Sequence, residues 1–315
     1  MGNNQFLTNA RKNKRDEFYT QYSDVEREVK KFLYNFIDKK VYCPCDNKQS
    51  NFVKYFKDNF FTLKLKKLYY SSIDGNAYVF DGIKETMIYE GGVSILDKRY
   101  KELLDISDIV VTNPPFSLFI PFIDFLSISK KDFLIIGNQN SISCKTIFEH
   151  IKNDGVNVDY GFKGLAGHFY KPDDYDDYAT AKDHKENMIR VSGVIWYTTF
   201  LLKDINCPIP LTKSCLKGGL LDISEYPTYD NFRKISGLNE DCININKVRD
   251  IPYDWNGYMG VPISFMGKYC PEQFEIIQLD HYGPLGNLDN VVNGKTTYRR
   301  IYIKPRNSSQ ETYNS

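Results

Sequence analysis

The chain has 315 residues, 42% of them apolar and 26% charged, which excludes a disordered or collagen-like protein and leaves room for two ordinary domains or one with a large appendage. Its 41 Lys and Arg nearly balance 40 Asp and Glu. A net charge of +1 neither supports nor excludes a nucleic-acid partner, so the distribution of charge along the chain must decide.

The first residues, MGNNQFLTNARKNKRDE, contain no apolar core, so no signal peptide is expected. Phe6 stands where a myristoylation signal needs Ser or Thr. Residues 1–15 carry Arg11, Lys12, Lys14 and Arg15 and no acid, as a solvated arm or a phosphate-contacting one would. Val25, Val29, Phe32, Leu33 and Phe36 recur at three- and four-residue steps and predict a helix from Ser23. Val41-Tyr42-Cys43 reads as a short strand; Phe52, Val53, Phe56 and Phe60 predict a second helix, and Leu65 to Tyr70 another strand. Ile109-Val110-Val111 is a continuous apolar run, as in a strand buried on both faces of a parallel sheet. Asn113-Pro114-Pro115 stops it, because proline cannot donate to a ladder. Helical spacing resumes from Leu118 to Leu126, Phe133 to Ile136 is the next buried strand, and Ile147 to Ile151 looks helical. The greasiest stretch, Phe116 to Ile128, is interrupted by Pro121 and Asp124 and is too short to span a bilayer. A soluble cytoplasmic protein is expected.

Strands alternating with helices over residues 23–152 argue for a doubly wound α/β domain. Beyond residue 153 the rhythm changes to acidic loops (Asp173, Asp174, Asp176, Asp177), one strong strand from Val194 to Leu202, and many turns. Residues 295–306 hold Lys295, Arg299, Arg300, Lys304 and Arg306 without an acid, alternating with Tyr298, Ile301 and Ile303, which suggests a basic strand. The division expected is a core over 1–152, with its basic arm at 1–15, a mixed α+β region over 153–306 that contributes strands to the core, and a polar tail over 307–315.

Seven cysteines, an odd number without a secretion signal, point to reduced thiols. Only Cys43 and Cys45 are close in sequence, and no second pair or nearby His accompanies them, so no metal site is expected. The 24 Tyr and 21 Phe serve core packing first; some of these rings are candidates for stacking on bases.

The sharpest chemical feature is Thr112-Asn113-Pro114-Pro115-Phe116 at the C-terminal end of a buried strand, the edge at which open α/β sheets bind ligands. An adenine amine is a poor nucleophile because its lone pair is delocalised into the ring. An Asn side-chain oxygen and a backbone carbonyl accepting from both of its hydrogens favour a pyramidal nitrogen, with the lone pair aimed at an electrophile. Prolines lock the φ angles that present these acceptors, and the aromatic residue offers a face for stacking. With a methyl sulfonium across the pocket, positioning alone suffices.

This tetrapeptide resembles the catalytic motif of amino-methyltransferases. Further stretches resemble the EcoRI-type adenine-specific DNA methyltransferases nearly end to end: Asp16 to Thr20, Val41 to Asp46, Ser50-Asn51-Phe52, DIVVTNPPFSLF from Asp108, Ile136 to Asn140, and RVSGVIW from Arg190. Gly260-Val261-Pro262-Ile263, Pro271 to Glu275, Asn293-Gly294-Lys295 and Tyr298 to Ile301 continue it. The resemblance implies a Rossmann-like class I methyltransferase sheet with helices on both faces, followed by a target-recognition region. It implies a monomeric enzyme that uses S-adenosylmethionine on duplex DNA, any cognate restriction endonuclease acting separately.

By the same resemblance, Asn113, Pro114, Pro115 and Phe116 are the catalytic residues. Phe18, Tyr19 and Thr20 match the segment that lies against the cofactor, and Cys43, Pro44, Cys45 and Asp46 the first cofactor loop, with Asp46 a polar contact. No Gly-x-Gly occurs between Val41 and Phe52, as in that glycine-poor family. Pro44-Cys45 also resembles the Pro-Cys of cytosine-C5 methyltransferases, but it stands where the cofactor sits. Asp97 falls near the family's acid for the cofactor's adenine amine, although counting back from Asp108 brings Ser94 to that register; Ser71, Ser72 and Asp74 are candidates for the ribose. Extruding the target base from the stack costs a few kcal/mol, which phosphate contacts from the basic arm and from Lys295, Arg299 and Arg300 would offset. Asn138, Gln139 and Asn140 suit either adenine readout or a polar loop ordering the active site. The alternatives are transfer to RNA adenine or protein glutamine, or a catalytically silent nucleic-acid-binding module.

Overall fold

Ser50 begins the helix that the Phe52–Phe60 spacing predicts: its hydroxyl accepts from Phe52 N at 3.1 Å, an N-cap that satisfies one of the first-turn donors. In the computed structural model, which describes residues 19–72, 76–91, 98–162, 166–170, 188–202 and 207–306, the earlier helical segment is α1 (Tyr22–Val29), a 3-10 turn and α2 (Leu33–Phe36). Its buried face is Val25, Val29, Phe32 and Phe36, as the periodicity requires. Then follow α3 (Asn51–Asp58), α4 (Lys98–Ile106), α5 (Phe119–Ile128) and α6 (Lys145–Asn153).

The strands of this part are β1 (Tyr19–Thr20), β2 (Lys40–Cys43), β3 (Lys67–Ser71), β4 (Ala77–Phe80), β5 (Glu85–Tyr89), β6 (Ile109–Thr112), β7 (Asp132–Asn138), β8 (Asn157–Asp159), β9 (Ala166–Tyr170), β10 (Met188–Ser192) and β11 (Val194–Thr198). Eight of them form one sheet in the order β5-β4-β3-β2-β6-β7-β11-β8. Its centre, β3-β2-β6-β7, is parallel. Its flanks are antiparallel, so the sheet is mixed where the sequence rhythm alone suggests a parallel one. The central strands are apolar and closed to solvent: every residue of β6 is buried. The chain leaves β2 for β3 on one side and returns to β6 on the other, so the strand order reverses between β2 and β6. A small antiparallel sheet, β1-β9-β10, pairs Tyr19 with Tyr170.

The described residues fall into two compact units, one of the chain to Ser141 with Asn153–Phe200, the other of Ile142–Lys152 with the chain from Leu201. The second is built on β14 (Cys242–Asn244), β15 (Tyr258–Pro262), β16 (Phe274–Leu279) and β19 (Arg300–Pro305), in the order β14-β15-β19-β16. Two short hairpins, β12–β13 (Leu216–Lys217, Leu220–Leu221) and β17–β18 (Val291–Val292, Lys295–Thr296), the helix α7 (Phe232–Ser236) and most of α6 also belong to it. Its core includes Tyr229, Phe232, Cys242, Leu285, Leu288 and Tyr302. No helix among the described residues is long and apolar enough to cross a membrane.

One glycine of β7 is set by close packing. A β-carbon on Gly137 would lie 2.2 Å from Cε2 of Phe119, the first residue of α5, whose ring packs on Tyr197 with centroids 4.9 Å apart. Gly137→Ala should therefore lower the free energy of unfolding by about 1–3 kcal/mol, the usual range for overpacking a core. Urea titration checks it; an unchanged midpoint would mean that the Phe119 ring moves aside freely.

Candidate active site

β6 ends at Thr112, and Pro114 cannot continue the ladder, so the chain turns out of the sheet at Asn113. Leu118 N donates to Pro115 O at 2.9 Å, and α5 starts one residue later. The neighbouring β2 runs parallel, with Val41 opposite Ile109 and Tyr42 opposite Val110. The loop after β2 and the bend after β6 therefore leave the same sheet edge side by side, at the point where the strand order reverses.

Between them lies a cavity of about 360 Å³. Asn113 and Pro115 line it from the bend, Cys45 and Asp46 from the loop, and Tyr19 and Thr20 from β1. Its volume falls in the range of small-molecule sites. Thr20 Oγ1 is buried and has no hydrogen-bond partner among the described residues, so this wall retains an uncommitted hydroxyl.

The loop supplies the conformation that a glycine would. Cys45 has φ 63°, in the left-handed region, where a β-carbon costs about 1–2 kcal/mol. The turn is closed by Asp46 N donating to Ser71 O at 2.8 Å. The Asp46 carboxylate accepts from Ser50 Oγ at 2.5 Å and from Thr112 Oγ1 at 2.6 Å. Farther along the loop, Lys48 bonds Glu85 at 2.6 Å and lies 4.1 Å over the Tyr78 ring. Burial acts to raise the Glu85 carboxyl, but hydrogen bonds from Lys48 and Lys57 outweigh it and hold it at about 2. Cys43 is fully buried, and burial, with the Asp46 charge behind it, pushes its thiol far above the usual range. It is no nucleophile at neutral pH.

Several expected residues converge here. Tyr19, Thr20, Cys45, Asp46, Asn113 and Pro115 share the cavity, while Pro44 faces inward through its carbonyl, which accepts from Thr112 Oγ1 at 3.0 Å. Pro114 and Phe116 are buried, so the Phe116 ring offers no open face in this conformation. Ser71, a ribose candidate, is buried and hydrogen-bonds Tyr42 Oη at 2.8 Å; Ser72 is half-buried. Phe18, Asp74, Ser94, Asp97 and the arm residues Arg11, Lys12, Lys14 and Arg15 lie outside the described residues.

Two residues expected to meet DNA are used internally. Asn138 is buried in β7; its Nδ2 donates to Ser192 O at 3.3 Å and its Oδ1 accepts from Asn140 N at 2.9 Å. Gln139 N donates to Gly193 O at 2.6 Å, and of this run only Asn140 is fully exposed. Arg300 is buried at the start of β19, the strand between β15 and β16. Its guanidinium donates to Asn244 Oδ1 at 3.1 Å and to the carbonyls of Tyr298 and Arg299, and the side chain is nearly closed to solvent. Arg299 is exposed and 3.4 Å from Asp280, and Lys295 is exposed.

The cavity also holds residues not singled out as site residues from the sequence: Asn47, Gln49, Ser50, Asn51, Phe52 and Tyr170. Asn51 is legible as the start of a capped helix, and its Nδ2 donates to Thr20 O at 2.8 Å, tying β1 to α3. Tyr170 carries no local signal; it arrives through the pairing of β9 with β1.

A family model described as adenine-specific methyltransferase EcoRI matches residues 6–98 and 74–314. Type II methyltransferase M.EcoRI of Escherichia coli is 39% identical over 334 residues, spanning 96% of each chain. Type II methyltransferase M.MpnI of Mycoplasma pneumoniae is 35% identical, over 96% of this chain and 98% of its own. M.MgeORF184P of Mycoplasma genitalium is 33% identical, over 94% and 97% respectively. No solved structure matches.

Proposed function

The chain belongs to the EcoRI adenine-specific methyltransferase family, and on that premise we propose that it transfers a methyl group from S-adenosylmethionine to N6 of an extruded adenine at a specific site in duplex DNA. The observation that carries this reading is the cavity lined jointly by the loop after β2 and by Asn113 and Pro115 after β6. On the same reading the mixed sheet is a class I, Rossmann-like methyltransferase sheet, and the chain beyond residue 153 holds target recognition.

The residues present suit the donor. Thr20 offers a hydroxyl without a partner among the described residues, Tyr19 and Tyr170 offer partly exposed rings, and the left-handed turn at Cys45 brings backbone close to the cavity. Tyr19, Thr20, Cys45 and Asp46 would hold it. S-adenosylmethionine supplies a methyl group on a positively charged sulfur. Asn113 Oδ1 and a backbone carbonyl of the proline pair accept the two hydrogens of the adenine amine and direct its lone pair. A stacking role for Phe116 requires its face to be uncovered as the base arrives. Lys295 and Arg299 remain exposed for phosphate contact, and the composition of the basic arm suits the same role.

The enzyme is proposed to act as a monomer in the cytoplasm, with any cognate endonuclease a separate protein. Incubation with duplex DNA and methyl-labelled S-adenosylmethionine, followed by nucleoside analysis, should yield labelled N6-methyladenine. Mapping methylated adenines in DNA from expressing cells then reads out the site. Label in RNA adenine or protein glutamine, with none in DNA, would replace this substrate; calorimetry without donor binding would favour a silent binding module.

A further inference from the structure

Thr112 is the last residue of β6 and stands immediately before Asn113. It follows Ile109, Val110 and Val111 in a strand that is buried throughout, a place where valine would pack as well. What packing does not require is its hydroxyl, since a buried hydroxyl is unfavourable unless hydrogen-bonded. Here it is bonded, to Asp46 Oδ2 at 2.6 Å and Pro44 O at 3.0 Å. The other Asp46 oxygen is engaged by Ser50 Oγ, which also caps α3. One buried carboxylate thus joins the loop after β2, the start of α3 and the residue that carries Asn113.

Resting on the function proposed above, we infer that Thr112 is a positioning residue for methyl transfer, whose hydroxyl, held by Asp46, keeps Asn113 in register with the loop on the donor side of the cavity. Each Asp46 oxygen accepts from a hydroxyl, so besides lining the cavity Asp46 bears on the reaction through Thr112. In-line transfer tolerates little misalignment: a displacement of about 1 Å at a reacting group costs roughly 10²-fold in rate. Thr112→Val keeps the shape of the side chain and removes the tether. Thr112→Ser keeps the tether and trims a methyl.

The experiment is steady-state methyl transfer to duplex DNA by wild type, Thr112→Val and Thr112→Ser, with S-adenosylmethionine affinity measured by calorimetry on each. For Thr112→Val, kcat should fall about 10- to 100-fold, a misalignment of an ångström or less, with donor affinity within about threefold of wild type. Thr112→Ser should recover kcat to within about threefold of wild type, because the hydrogen bond fixes the register. A purely structural role would lower the melting temperature of both variants and leave kcat per folded molecule unchanged. Unchanged kcat in Thr112→Val, a loss confined to donor affinity, or an equal loss in Thr112→Ser would overturn the assignment. Should Thr112→Val not fold, Thr112→Ala, which removes the hydroxyl without adding bulk, is read by the same split and must lower kcat more than donor affinity. A wild type that transfers no methyl group to DNA removes the functional reading itself; an active wild type beside an equally active Thr112→Val removes only the tether.

Discussion

Replacing Asn113 with alanine should lower kcat for methyl transfer by at least about 10²-fold, and by up to roughly 10³-fold, with S-adenosylmethionine affinity changed by less than about threefold; removing one preorganised hydrogen-bonding group from an active site has effects of this size. The bend itself survives the change. Pro114 and Pro115 hold its φ angles, and Thr112 anchors it to Asp46. On the proposed mechanism, what disappears is an acceptor for one hydrogen of an amine whose lone pair is otherwise spread into the purine. Asn113→Asp presents a carboxylate oxygen of the same reach and should fall between wild type and alanine. Single-turnover transfer of labelled methyl groups measures the loss, and calorimetry measures donor binding. Near-normal turnover by the alanine variant would remove the side chain from the mechanism.

The second large effect concerns stability. Glu28, on the buried face of α1, is closed to solvent beside Lys31, which bridges it to Asp159. Gly161 leaves room for it: a β-carbon there would lie 2.3 Å from Glu28 Oε2. Its other oxygen, Oε1, has no hydrogen-bond partner among the described residues. Burial, reinforced by the Asp159 charge and only partly opposed by Lys31, raises its pKa from 4.5 to about 7. A carboxyl raised in the folded state contributes stability that is fully present below its unfolded pKa and is lost as pH rises through the folded one. Glu28 should therefore cost the fold up to about 3 kcal/mol between pH 4.5 and pH 7. Glu28→Gln removes that titration while keeping the shape, and Lys31 retains Asp159. The variant should be more stable than wild type at pH 8, by about 1–3 kcal/mol once the lost ion pair is offset, and the gap should close by pH 4.5. Trp196 lies in the same unit, with its Cδ1 3.2 Å from the same Gly161 position. Urea unfolding read by its fluorescence in a Trp255→Phe background follows the effect. A pH-independent difference would mean that Glu28 is ionised throughout.

Several elements were legible because their determinants are local. The helix beginning at Ser50 announces itself by a capping residue and four aromatic or branched residues on one face, and β6 by an apolar run ended by two prolines. The β4–β5 hairpin was legible too: Asp81-Gly82 separates two strand-forming runs, with Gly82 at φ 99° and the Asp81 carboxylate accepting from Ile83 N and Lys84 N. The missing Gly-x-Gly is a subtler case. Glycine is the usual residue for a left-handed turn, yet Cys45 adopts one, so the absence of glycines described composition and not backbone shape.

The sequence by itself determined the family and the place of the Asn113-Pro114-Pro115 bend at the end of a buried strand, since these depend on residues within a few positions of one another. Only the tertiary structure decided that β2 and β6 lie side by side, that Asp46 spends its carboxylate on Ser50 and Thr112, and that Tyr170 enters the cavity wall. It also withdrew Asn138 and Arg300 from any open surface. Basic residues alternating with apolar ones suggest a strand with one wet face; β19 instead buries Arg300, Ile301, Tyr302 and Ile303 in succession, so both of its faces are covered there. Which side chains a strand exposes is settled by what packs against it, and those neighbours come from distant parts of the chain.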